Sequence, residues 1–140
     1  MTPIHEKLRL YAPWLFKDRR FDVTMESYDP KAFGNSEVVL ESPEIRMRFV
    51  SDRGQVSAEF QSPSEPDRWL DLLFILEAIC GRAPQPIFDL DRLLVLLQEN
   101  FDGVLNALVS DWPRTREVLD RKRLERLQAL RAKRPGPEAP

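Results

Sequence analysis

The spacing of apolar residues changes period twice along the chain. Ile4, Leu8, Tyr11 and Leu15 recur at helical intervals, with Leu10 and Trp14 widening the face, which predicts an amphipathic N-terminal helix. Pro13 should stop or kink that helix near Ala12, because proline lacks a backbone N–H and collides with the preceding turn. From Phe21 the period drops to two: Phe21, Val23 and Met25 alternate with Asp22, Thr24 and Glu26, the pattern of a half-buried strand. Turn-forming residues fill 29–36. Three more alternating segments follow, carried by Val38 and Leu40, by Ile45, Met47 and Phe49, and by Val56, Ala58 and Phe60. Pairing Leu40 with Ile45 and Phe49 with Val56 sets Val38 against Met47, Met47 against Ala58 and Ile45 against Phe60. All of these then bury on one face, and a one-residue slip would turn a strand inside out.

Beyond residues 63–66 the helical period returns. Trp69, Leu72, Leu73, Leu76 and Ile79 make one apolar face, and Gly81 sits where a C-terminal cap belongs. Asp89 is placed to cap the next helix, whose apolar positions Leu90, Leu93, Leu94, Leu97, Phe101, Val104, Leu105 and Leu108 keep their spacing through Gly103, a candidate bend. Pro113 opens a final, highly charged helix over 114–133, with Val118, Leu119, Leu124, Leu127 and Leu130 as a thin stripe. The expected fold class is α+β: a four-stranded antiparallel meander with an N-terminal helix and two to three C-terminal helices on its apolar face. The expected organisation is a single α+β domain over 1–112, a basic amphipathic helix over 113–134 and a disordered tail over 135–140.

Composition agrees with one globular domain: 140 residues, 42% apolar and 31% charged. The first residues run straight into charge, so no signal peptide is expected. The nearly apolar run 72–79 is interrupted by Glu77 and falls short of the roughly 20 residues a membrane span needs. A single cysteine, Cys80, in an apolar helical stretch is expected to be buried in a reducing, bacterial-type cytoplasm.

Candidate chemistry narrows the function classes. His5 is the only histidine, in a segment expected to be mobile, and no base and orienting group can be assembled around it. One Cys and one His cannot furnish a zinc site, and no glycine-rich phosphate loop occurs. No catalytic residue, metal or cofactor is therefore expected. Asp89 and Asp91 read as helix-start residues, and 52–54 as a turn.

The polar face of the sheet carries more information. Asp22, Thr24, Glu26, Glu37, Val39, Glu41, Arg46, Arg48, Ser57 and Glu59 are expected to point away from the core, with Glu37 opposite Arg48 and Arg46 opposite Glu59. Two readings remain open at this point: a solvated face held by ordinary ion pairs, or a protein-binding face whose surplus carboxylates meet a basic partner. The net charge of −2 conceals an asymmetry. Residues 113–140 hold nine basic and four acidic side chains, a net of +5, and 1–112 hold twelve basic and nineteen acidic, a net of −7. An acidic body repels a phosphate backbone and attracts basic proteins. Asp22, Glu26, Asp29, Glu41, Glu44 and Glu59 are the candidate partner-binding residues. The alternative partner is nucleic acid, met by Arg114, Arg116, Arg121, Lys122, Arg123 and Arg126 of the last helix, although no aromatics are interleaved there for base stacking. That helix could instead pair two copies in a homo-oligomer.

The stretches 33–42 and 46–56, followed by Trp69, resemble small bacterial immunity proteins that accompany polymorphic toxins. The likeness covers about a third of the chain. It implies a cytoplasmic, non-catalytic inhibitor that binds a cognate toxin domain and occludes its active site.

Overall fold

The computed structural model describes residues 1–133, so the expected tail over 135–140 and the end of the expected last helix at 134 lie outside the described residues. Helix α1 (Pro3–Tyr11) is capped by Thr2, whose side chain accepts from the His5 amide. It breaks at Ala12, and the short α2 (Pro13–Lys17) starts on Pro13. Because the break resets the helical phase, the buried series is Ile4, Leu8, Ala12 and Leu15, and Leu10 and Tyr11 face solvent.

Five strands follow: β1 (Asp22–Asp29), β2 (Asn35–Glu41), β3 (Arg46–Asp52), β4 (Gln55–Ser62) and β5 (Glu65–Asp71). They form one antiparallel sheet in chain order. The α+β meander is as expected, with one strand more than the four predicted. Trp69, predicted on a helix, lies on β5, because Asp71 accepts from the Leu73 amide at 2.8 Å and starts α3 (Leu72–Cys80) only after it.

Both predicted registers are corrected by two residues. Leu40 lies opposite Met47 and Val38 opposite Phe49, while Phe49 lies opposite Ala58 and Met47 opposite Phe60. Turn chemistry explains each shift. The predicted first hairpin would put Pro43 second in a two-residue turn; in the observed one Ser42 and Ile45 flank the turn and Pro43 is its first central residue, where a fixed φ near −65° fits. Ser42 closes that turn, its Oγ accepting from the Glu44 and Ile45 amides. The second turn centres on Arg53 and Gly54, both at positive φ, 55° and 83°, as hairpins with matched twist require. A two-residue shift preserves the face of every side chain, so the predicted core survives.

Helices α3, α4 (Leu90–Leu105) and α5 (Trp112–Lys133) complete the fold, with a π-helical turn over Asn106–Ser110 between the last two. Gly81 ends α3 at φ 89°, and Asp89 caps α4 by accepting from the Arg92 amide at 3.0 Å. Helix α4 passes Gly103 unbroken. The core joins Val38, Leu40, Met47, Phe49, Phe60 and Leu70 of the sheet to Leu8 and Leu15, to Leu72 and Ile75, and to Leu93, Leu97 and Phe101. Trp14 and Phe21 meet Phe101 edge-on at ring separations of 5.6 and 6.0 Å. Cys80 is exposed, correcting its expected burial, because it closes α3 where the helix leaves the core.

Only the first half of α5 packs as an apolar helix, through Trp112, Thr115 and Leu119. One turn further, the body-facing positions are Lys122 and Arg126, which meet the buried carboxylate of Glu77. Leu124, Leu127 and Leu130 are exposed, so this part of the expected apolar stripe does not pack on the body. Phe60→Ala should lower the unfolding free energy by about 3–5 kcal/mol, and Leu124→Ala should change it by less than about 0.5 kcal/mol. Urea denaturation of the two variants checks this contrast.

Candidate functional site

The helices pack on one side of the sheet and leave the other side to polar residues. Val39 marks the division: it is only 1% exposed yet lies outside the main core, between the charged side chains of the outer face. Across that face Arg48 donates to Glu59 at 2.6 Å and reaches Glu37 at 3.7 Å. Arg46 pairs with Glu41 at 3.0 Å. The expected pairs Glu37–Arg48 and Arg46–Glu59 are thus rearranged by the register shift: Arg48 sits directly opposite Glu59, Glu37 becomes its diagonal neighbour, and Arg46 sits opposite Gln61.

Both guanidiniums stack on the half-buried ring of Trp69, Arg48 at 4.3 Å and Arg46 at 5.5 Å from its centroid. This ring is the part of the site that sequence reasoning missed. Asp71 was the available signal, since a helix cap there makes the preceding residues strand. Burial raises the Asp71 carboxyl above its ordinary range, amide bonds from Leu73 and Phe74 oppose the rise, and the neighbouring charge of Glu59 adds to it. Asp22, Glu37, Glu41, Glu59 and Asp71 therefore share this face with only two guanidiniums.

Of the six predicted partner-binding carboxylates, Asp22 begins β1 opposite Glu41. Glu41 and exposed Glu44 line a cleft of about 350 Å³ at one end of the face, with Pro43 and Pro66 on its rim. Asp29 lies at the opposite end, in a cleft of about 470 Å³ shared with Glu37 and Asp52. Glu59 is engaged by Arg48. Glu26 departs from expectation. A bulge between Val23 and Met25 reverses the alternation, turning Met25 to solvent and Glu26 toward α1. There Glu26 accepts from the Thr2 amide at 2.8 Å and pairs with His5 Nδ1 at 3.1 Å.

His5 is buried and held, which corrects the expectation of a mobile terminus. Its Nε2 accepts from Arg9 Nε at 3.1 Å, and Arg9 lies 3.6 Å over the Phe16 ring. Both ring nitrogens are occupied, so this histidine ties α1 to the sheet. Among the described residues no group of three or more His, Cys, Asp or Glu is placed to hold a metal ion.

The basic helix is partly neutralised by the body. Arg116 pairs with Glu65 at 3.3 Å and Lys122 and Arg126 with Glu77, while Asp120 of the helix takes Arg68 of the body at 3.0 Å. Arg114, Arg121 and Arg123 are exposed on the same helix. No helix of the described residues is long and apolar enough to cross a membrane. No protein-family model, curated protein or solved structure matches the chain.

Two outcomes test this geometry. A double-mutant cycle of Arg48→Met and Trp69→Leu in urea should give a coupling of about 0.5–1 kcal/mol. The Thr2 amide bond holds the Glu26 carboxyl below its ordinary range, against the effect of burial and helped by His5. A carboxyl depressed in the folded state contributes stability above its unfolded value, and that contribution fades as pH falls through the folded value. Glu26→Gln should therefore be less stable than the parent at pH 7, and the difference should disappear on acidification below the ordinary glutamate value of 4.5. Thermal unfolding of both proteins across that range measures it, and the opposite contribution of Asp71 cancels in the comparison.

Proposed function

We propose that the chain is a non-catalytic inhibitor that binds a basic protein partner through the outer face of its sheet. In the specific form suggested by the sequence resemblance, it is a bacterial immunity protein that occludes the active site of a cognate toxin domain. One observation carries the reading: carboxylates outnumber guanidiniums on an uncovered sheet face, Asp22, Glu37, Glu41, Glu59 and Asp71 against Arg46 and Arg48, and both guanidiniums stack on a half-buried tryptophan. A Trp and Arg cluster is the kind of anchor that dominates protein interfaces. Surplus negative charge around it speeds encounter with a cationic surface and discriminates against acidic ones.

The body pairing of Arg116, Lys122 and Arg126 lowers the charge that α5 offers to a nucleic acid and favours the protein-binding reading. The experiment is co-expression with the product of the adjacent reading frame, followed by co-purification and a growth assay. The intact chain should bind that product and suppress its toxicity. Trp69→Ala should weaken the complex by about 2 kcal/mol or more, and Asp22→Lys with Glu44→Lys should slow association by about tenfold at low salt. Failure to bind or rescue would remove the proposal.

A further inference from the structure

The two edges of the sheet are built differently. On β5, Pro66 removes one backbone donor, and α5 ties down the strand through Arg116–Glu65 and Arg68–Asp120. Natural sheets blunt an edge in these ways. On the opposite side β1 pairs with β2 alone. Its sequence contains neither proline nor lysine nor arginine, and every residue over 24–29 is exposed. After the bulge, residues 25–29 run in unbroken register with β2. Five residues of regular, uncovered edge are enough backbone for a further strand to add.

We infer that the free edge of β1 takes up an extended, lysine- or arginine-bearing segment of a protein partner as a sixth strand. The inference rests on the protein-binding reading above and specifies how the partner engages. Charge selects the occupant. Strand β1 carries Asp22, Glu26 and Asp29 and no cation. A second copy adding to this edge would bring the same three carboxylates and no cation, so no register offers it an attractive charge pair. A basic strand places opposite charges beside Asp22 and Asp29. Exposed Met25 and Tyr28 offer apolar side chains to the incoming residues, so main-chain bonds supply affinity while alternating side chains supply selection.

The probe is a capped peptide of alternating lysine and valine, titrated into the full chain, with amide exchange and chemical shifts read along the backbone. The expected result is perturbation and slowed exchange concentrated on residues 25–29. Methylating alternate backbone nitrogens of the peptide keeps its charge and removes strand pairing, and should weaken binding by at least about tenfold. Asp22→Lys with Asp29→Lys, both at exposed positions, should have a similar effect. Binding that survives N-methylation, perturbation confined to the outer face or α5, or no binding at all would overturn the inference. A dimer of the free chain that dissociates in the double-lysine variant would also overturn it. If the peptide fails while the neighbouring gene product still co-purifies, the edge assignment falls and the inhibitor reading stands.

Discussion

Val38, Leu40, Met47, Phe49, Ala58, Phe60 and Leu70 line one side of the sheet, and all are essentially without solvent contact. Their burial against α1, α3 and α4 is the constraint from which the rest of the structure follows. Each of these side chains larger than alanine contributes about 1.5–3 kcal/mol, so reversing a strand would forfeit such contributions together. The period of two then dictates what stands on the other side. Glu37, Arg46, Arg48 and Glu59 are outward because their neighbours are inward, and the guanidinium–carboxylate network around Trp69 is the result.

The N-terminal clasp and the C-terminal helix are attached to this core by charge as well as by apolar contact. Glu26 reaches α1 only because a bulge reverses the alternation of β1. Glu77, in the middle of an otherwise apolar helix, is buried and compensated by Lys122 and Arg126. A buried carboxylate without such partners would carry a large desolvation cost. The acidic body and basic helix, which look in the sequence like two separate electrostatic surfaces, are thus in part a single internal contact. The outer face and the uncovered edge of β1 both lie on the acidic part of the molecule.

The four alternating segments, the capping residues Gly81 and Asp89 and the break at Pro13 were legible because each depends on neighbours in the chain. So was the set of inward residues on β2, β3 and β4, which a two-residue register error leaves intact. Strand β5 was not legible: Glu65–Asp71 holds a proline and four charges, and its pairing partner Phe60 lies across a hairpin with its own irregularity. The candidate site was legible in its charges and illegible in its centre, since Trp69 reads equally well as the start of a helical face.

The amino-acid order by itself determined the alternation that makes a one-sided sheet, the helical periods that cover it, and the split between acidic body and basic terminus. These are properties of chemistry at fixed spacing along a chain, with the backbone supplying the geometry. Tertiary structure alone decided which charges neutralise one another, that His5 is gripped between Glu26 and Arg9, and which sheet edge stays open. Those outcomes depend on contacts between residues distant in the chain, where a bulge of one residue or a turn placed one position later selects a different partner for every side chain that follows.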